Sequence, residues 1–237
     1  FEWSKVILVY QPGKVASSSI TKALSDLYEG PVVHIHSFER LPKPHVLNSS
    51  RLELQKKGEL PKVKIITLIR DPFSRNLSAF FQNLEKYQND KVAFDGACYG
   101  TEGLWQLYMQ SQGSEWILDW WDLELKKNFD IDVFSVPFPE SGHLEIENDR
   151  ASVLLLRYNL PDDLKGELVS KFVDIPTFDL SQYRANDSRT KYYAEEYEEM
   201  KKKPLPPEYF ERMLNSQYCQ HFYAKELSDL KEKWLTL

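Results

Sequence analysis

The sequence lacks two features that would place it in common classes of protein. Its 237 residues contain no apolar run close to the roughly 20 residues of a membrane-spanning helix, so we expect no membrane span. It also lacks an excess of positive charge, since the net charge is −6, and this argues against a general nucleic-acid binder. An anionic ligand would therefore need a local positive pocket rather than a basic face.

Cysteine is equally scarce. Cys98 and Cys219 are the only two, and their spacing fits no metal site. They could pair with each other, but free thiols in a reducing compartment are expected. No other cluster of metal ligands is visible in the sequence, and we expect no metal.

What is present indicates a folded enzyme-sized domain. The chain is 42% hydrophobic and 14% aromatic, which favours a globular protein with a good core. We predict a single domain over residues 1–237, with a helical C-terminal segment at about 205–237 packed on it.

The chain is organised around its opening. Residues 6–10 form an apolar, β-branched run typical of a buried strand, and Pro12 and Gly13 then break it. Apolar residues at helical spacing follow as far as Gly30. A loop between a strand and a helix N-terminus presents N–H groups and a positive dipole end to an anion, and Lys14 adds a full charge.

The loop does not match the P-loop of nucleotide triphosphatases. That motif needs a glycine four residues before its Gly-Lys pair and a Ser or Thr directly after the lysine to hold Mg²⁺. Here the first glycine is missing, Val15 follows Lys14, and the hydroxyl groups come later at Ser17, Ser18 and Ser19. Magnesium-dependent phosphoryl transfer is therefore disfavoured.

Strand and helix patterns alternate along the rest of the chain. Strands are predicted at 31–38, 62–70, 131–138, 143–147 and 152–158, and helices at 72–87, 160–173 and from 206 towards 218. The fold class is α/β: a P-loop-like three-layer α/β/α arrangement with a central, mainly parallel sheet.

Two further groups of residues follow these strands. Arg70 ends the third strand, at the edge where ligands bind in open α/β sheets, and Ser78 lies eight residues further on. Strand alternation places His34 and His36 on one face of the second strand.

Together these motifs resemble the sulfotransferases that depend on 3′-phosphoadenosine 5′-phosphosulfate (PAPS). The resemblance implies that the first loop grips the 5′-phosphosulfate and that Arg70 and Ser78 grip the 3′-phosphate. The implied loop residues are Gly13, Lys14, Val15, Ala16, Ser17, Ser18 and Ser19. The product would be adenosine 3′,5′-bisphosphate, and no metal is required.

The His-x-His pair makes the resemblance more specific, because carbohydrate sulfotransferases of the heparan sulfate 2-O type carry such a pair at a strand end. It implies that His36 is the base that takes the acceptor proton, with His34 in support and Glu39 or His45 as substitutes. The tail is similar to a bacterial group of capsular polysaccharide sulfotransferases, in residues 186–193, 205–208 and 215–226. The implied acceptor is a glycan hydroxyl, although the tryptophan-rich middle of the chain could line a pocket for a lipid or phenol instead.

The chain departs from the family in one place, because the glycine-rich third cosubstrate motif is absent after residue 180. Candidates for holding the adenosine are Arg184, Asn186, Arg189 and Lys191, and the alternative is that they form a solvated loop. For the tryptophans between 105 and 121, core packing competes with a role as a wall of the acceptor pocket.

Two other functions stay open: a nucleotide or small-molecule kinase, and a non-catalytic homologue that binds a nucleotide or glycan. The bacterial resemblance implies a cytoplasmic location, and the alternative is the lumenal domain of a Golgi enzyme.

Overall fold

The computed structural model describes residues 3–38, 57, 59, 61–84, 100–111, 115–184 and 191–235. The chain divides into two compact units. The first unit comprises Phe1–Arg70 and Asp119–Asn186, and the second comprises Asp71–Leu118 and Asp187–Leu237. The predicted single domain, with a C-terminal segment packed on it, stays a prediction.

The first unit contains a β-sheet. In the described part of the chain the sheet has five strands in the order β2-β1-β3-β5-β4. They are β1 (Ile7–Tyr10), β2 (Val32–Ile35), β3 (Val63–Ile69), β4 (His143–Glu147) and β5 (Ala151–Arg157). All neighbouring pairs are parallel except the edge pair β4–β5. β3 lies in the centre, which explains its nearly continuous apolar run, since both of its faces are covered.

Helices cover one face of the sheet. α1 (Ser17–Leu27) and the helix Asp162–Val173 bury their apolar sides against alternate residues of β1, β3 and β5. Ile20 and Leu24 of α1 are fully buried there, and each such side chain contributes about 1.5–3 kcal/mol.

An aromatic segment covers the opposite face. The chain turns from a short helix, Trp116–Trp120, into a π-helix at Trp121–Lys126, and ends in Lys127–Phe129. The ring of Tyr10, which alternation directs to this face, packs edge-on against Trp120 and Phe129. The sheet therefore lies between two covering layers, and the predicted three-layer α/β fold with a mainly parallel sheet is confirmed.

One predicted strand is wrong. Residues 131–138 contain a 3-10 helix, Val133–Ser135, instead of a strand. The carboxylate of Asp132 accepts a hydrogen bond from the N–H of Phe134, and the Ser135 hydroxyl donates to the carbonyl of Asp132. These local hydrogen bonds stabilise a turn instead of a strand paired in the sheet. The apolar pattern of the sequence gives no sign of such bonds.

The second unit is helical in its described part. In chain order, the helices Trp116–Trp120, Lys127–Phe129 and Asp162–Val173 described above are α4, α5 and α6. The helices of the second unit are α2 (Pro72–Gln82), α3 (Gly100–Gln110), α7 (Ala194–Met200), α8 (Pro207–Leu214), α9 (Gln217–Phe222) and α10 (Leu227–Leu235). The predicted last helix from 206 towards 218 is interrupted, because Ser216 accepts a hydrogen bond from Cys219 N–H and caps a new helix there.

Candidate active site

The candidate site lies at one edge of the sheet in the first unit. Three groups lie at the carboxyl ends of strands that run parallel to one another: the loop after β1, the two histidines at the end of β2, and Arg70 after β3. The carboxyl ends of parallel strands meet at the same edge, where open α/β sheets bind ligands. The tertiary structure therefore brings three separately predicted groups to one place.

The loop after β1 has an unusual backbone. Gly13, Lys14 and Ala16 have φ angles of 87°, 63° and 62°. Non-glycine residues at positive φ store strain of about 1–3 kcal/mol each, and such residues cluster at ligand-binding loops. Left-handed residues in a turn direct successive N–H groups inward and form a concavity that binds anions.

The start of α1 completes this concavity. Its N-cap residue is Ala16, whose side chain makes no capping hydrogen bond, and a helix N-terminus favours an anion. The helix begins at the buried Ser17, and Lys14 is half-buried within the loop. The predicted phosphosulfate loop thus has the backbone of an anion site.

Gln11, a buried side chain, connects this loop to both histidines. Its Oε1 accepts a hydrogen bond from the N–H of Gly13. Its Nε2 lies 2.8 Å from Ser17 Oγ, 2.9 Å from His34 Nε2 and 2.9 Å from His36 Nδ1. Ser17 Oγ is also 2.9 Å from His34 Nε2, and the two imidazole rings are 5.1 Å apart. The two histidines share a face, as predicted, and belong to the same network as the loop.

The surroundings of His34 keep its ring neutral. Burial, together with the neighbouring His36, lowers the pKa of His34 to about 4. His34 as a whole is exposed to solvent, yet the nitrogen that faces Gln11 and Ser17 lies within the network. At neutral pH His34 therefore accepts hydrogen bonds at Nε2.

We expect the stability of the fold to fall as the pH drops from about 6.5 to about 4, because the unfolded chain protonates His34 near its ordinary pKa of about 6.5 and the folded chain does not. The contribution should be roughly 1 kcal/mol, since His34 is exposed and therefore screened by solvent. Urea unfolding across this range measures it. His34→Gln cannot titrate and should flatten the profile, and an unchanged profile in that variant would contradict the assignment.

The aromatic layer holds the end of β2 in place. The indole N–H of Trp120 donates to the carbonyl of His36 at 2.7 Å. The buried carboxylate of Glu124, on the π-helix, accepts from the hydroxyl of Tyr10 and from the N–H of Phe38 at 3.2 Å. Trp120 and Glu124 thus fix the main chain that directly follows β2, beside the histidine pair. Turns of π-helix are frequent at functional sites.

Arg70 is held against the loop from the other side. Its Nη1 donates to the carbonyl of Lys14 at 2.9 Å, and its guanidinium carbon lies 4.5 Å from the centre of the Tyr158 ring. Tyr158 is fixed in turn, since its N–H donates to Ile69 and its carbonyl accepts from the buried Lys165. The Arg70 charge therefore lies beside the loop backbone.

The other predicted ligand residues are placed as follows. Ser78 is half-buried on α2 of the second unit, and its joint role with Arg70 stays a prediction. Arg184 is 68% exposed and pairs with Asp162 at 3.3 Å. Lys191 is exposed at the turn before α7, while Asn186, Arg189, Glu39 and His45 lie outside the described residues.

The tryptophans divide between two environments. Trp120 and Trp121 are fully buried, so they belong to the core of the first unit. Trp105 and Trp116 are half-buried, and their predicted role as an acceptor wall stays a prediction.

Three further findings concern other sequence predictions. Cys219 is a free, buried thiol, as predicted, and burial raises its pKa to about 12; Cys98 lies outside the described residues. In the described part of the chain, no helix has both the length and the apolarity to cross a membrane. No group of three or more His, Cys, Asp or Glu side chains among the described residues could hold a metal ion.

Sequence reasoning missed Gln11, Glu124 and Tyr158. Gln11 and Tyr158 each directly follow a strand that ends at the ligand edge, and that position was a usable indication. Glu124 had no such indication, because only the folding of a segment more than a hundred residues away brings it to Tyr10.

Two family models match the chain. Residues 4–117, which include the loop, the histidines, Arg70 and Ser78, match the model described as "Sulfotransferase family". Residues 101–224, just over half of the chain, match the model described as "Putative capsular polysaccharide synthesis protein". No curated protein and no solved structure matches the chain significantly.

Proposed function

The chain belongs to the sulfotransferase family, in a branch linked to capsular polysaccharide synthesis, and we propose that it transfers a sulfuryl group from PAPS to a hydroxyl group of a carbohydrate. The observation that carries the proposal is the loop with left-handed backbone before α1, in hydrogen-bonded contact with the histidine pair and with Arg70.

The loop suits the phosphosulfate end of the donor. The backbone is left-handed at Gly13, Lys14 and Ala16, and α1 begins directly after this loop, so N–H groups and the positive end of the helix dipole face an anion there. Lys14 supplies a full positive charge. Arg70 lies at the adjoining strand end, so a second phosphate bound there would be next to the first. We assign that second position to the 3′-phosphate, with Ser78 as the partner implied by the motif.

The proposed chemistry is an in-line displacement at sulfur. The acceptor oxygen forms a bond to sulfur, the bond from sulfur to the phosphate oxygen breaks, and adenosine 3′,5′-bisphosphate leaves. Negative charge grows on the leaving phosphate, where Lys14 and the loop N–H groups stabilise it. The acceptor hydroxyl loses its proton to His36, so the protein supplies positioning and one proton transfer.

The carbohydrate acceptor rests on the family link to capsular polysaccharide synthesis and on the His-x-His pair. The sulfotransferase match itself implies only a sulfonate donor and a hydroxyl-bearing acceptor. The kinase alternative is disfavoured because the loop has Val15 where a P-loop carries its magnesium-binding hydroxyl.

We expect adenosine 3′,5′-bisphosphate to bind the purified chain without Mg²⁺ and to bind Arg70→Ala roughly 10- to 100-fold more weakly, as measured by calorimetric titration. The loss reflects a charge-assisted contact to phosphate together with the support that Arg70 gives to the loop.

Arg150→Ala is the matched control, since Arg150 precedes β5 at the opposite edge of the same sheet, and it should bind as the wild type does. ATP with Mg²⁺ is the competing ligand. Binding of ATP with Mg²⁺ in place of the bisphosphate would overturn the sulfotransferase proposal and favour a kinase.

A further inference from the structure

The hydrogen-bonding position of His36 presents a choice between two tautomers. Its Nδ1 lies 2.9 Å from the side-chain Nε2 of Gln11 and 3.1 Å from the main-chain carbonyl oxygen of the same residue. An amide NH₂ group only donates, and a carbonyl oxygen only accepts. Nδ1 therefore serves either as an acceptor from the side chain or, carrying a proton, as a donor to the carbonyl.

The tautomer of His36 decides whether its ring can accept a proton from the acceptor hydroxyl. Because Nδ1 of His36 faces Gln11, the acceptor proton must go to Nε2. A neutral imidazole has its lone pair on Nε2 only when its proton is on Nδ1. The tautomer that donates to the Gln11 carbonyl is thus the one that can act as a base.

The contacts around Ser17 favour the other tautomer when the loop holds no anion. The orientation of the Gln11 amide is set by Gly13 N–H, which donates to Oε1, so Nε2 presents its two hydrogens to the network. One hydrogen goes to Ser17 Oγ and the second to His36 Nδ1, while the Ser17 hydroxyl donates to His34 Nε2. In this arrangement the two amide hydrogens of Gln11 and the hydroxyl hydrogen of Ser17 each have one acceptor. Because His36 Nδ1 accepts a hydrogen bond, the proton of the neutral ring is on Nε2.

An anion in the loop changes the arrangement. A hydrogen bond from the Ser17 hydroxyl to that anion removes the donor of His34 Nε2, which then takes the Gln11 hydrogen that His36 held, across a distance of 2.9 Å. His36 Nδ1 then loses the Gln11 amide donor and keeps the Gln11 carbonyl at 3.1 Å, and a hydrogen bond to that carbonyl requires a proton on Nδ1.

We propose that Gln11 and Ser17 are positioning residues that move His36 into its proton-accepting tautomer when the phosphosulfate loop is occupied. The proposal rests on the proposed function in one respect, namely that an anionic donor binds in the loop. It couples donor binding to activation of the base, so that the base is formed only when there is a group to transfer.

Imidazole ¹⁵N spectra of the full chain test this coupling, because a protonated and a bare ring nitrogen have well-separated chemical shifts. The spectra are recorded at about pH 8, above the ordinary histidine pKa of about 6.5. The His36 signals are identified by their loss in His36→Gln. We expect Nδ1 to be bare in the free protein and protonated at saturating adenosine 3′,5′-bisphosphate. A protonated Nδ1 in the free protein, or no exchange at saturation, would overturn the proposal.

Two variants should lock opposite tautomers. Gln11→Glu keeps the acceptor for Gly13 N–H but replaces the amide donor by an acceptor, so His36 Nδ1 should be protonated with and without bisphosphate. Ser17→Ala leaves both amide hydrogens for the two ring nitrogens, so Nδ1 should stay bare in both states. Gln182→Glu, at an exposed 3-10 helix position, is the control and should exchange as the wild type does.

The outcomes separate this proposal from the proposed function. Calorimetry reports independently whether the bisphosphate binds, and failure to bind would count against the sulfotransferase assignment. The free-protein spectra need no ligand, so the same tautomer in the wild type and in Gln11→Glu would overturn the role of Gln11 even if the bisphosphate binds tightly.

Discussion

His36→Ala is expected to lower the rate of sulfuryl transfer by about 10²- to 10⁴-fold while the affinity for adenosine 3′,5′-bisphosphate stays within about twofold of the wild type. The acceptor hydroxyl must lose its proton as the new bond to sulfur forms, and His36 stands at the end of β2 beside the loop that would hold the donor. Its main chain is anchored separately through Trp120, so removal of the imidazole should leave the backbone in place.

The measurement is transfer of labelled sulfate from PAPS to a panel of unsulfated capsular polysaccharides, with calorimetry for the bisphosphate. His143→Ala is the matched control, because His143 lies on the antiparallel edge strand β4. A wild-type rate in His36→Ala would move the role of base to His34 or Glu39. Loss of bisphosphate binding in the same variant would show instead that the substitution had disturbed the loop.

Lys14→Ala is expected to lower kcat by about 10²- to 10³-fold with a much smaller change in bisphosphate affinity. The lysine acts where charge develops, on the phosphate oxygen that leaves, so its contribution is larger in the transition state than in the bound ground state. Removal of such an interaction lowers kcat and kcat/KM together.

The choice of substitution follows from the backbone. Lys14 has a φ of 63°, so glycine would relax the loop and change two properties at once, whereas alanine keeps the constraint of a side chain at that position. Lys22→Ala, an exposed lysine on α1, is the control for general loss of positive charge. Equal losses in kcat and in bisphosphate affinity would argue against a role at the leaving group.

Much of the fold could be predicted because it depends on local patterns. The apolar run before Pro12 and the helical spacing after it predict the strand, loop and helix of the candidate site. The apolar run at 62–70 predicts β3 and puts Arg70 at its carboxyl end. The interrupted pattern at 131–138 misled, because a carboxylate that bonds its own backbone leaves no trace in hydrophobic periodicity.

The sequence by itself determined the α/β class, the loop between β1 and α1, the shared face of His34 and His36, and the resemblance to sulfotransferases, since each follows from short-range spacing or from a motif. Only the tertiary structure decided that Gln11 joins the loop to the histidines, that Glu124 and Trp120 support the end of β2, and that Arg70 contacts Lys14. These contacts join residues between 23 and 86 positions apart. Local propensity carries no information about contacts between residues so far apart in the sequence. The strand order of the sheet brings these residues together.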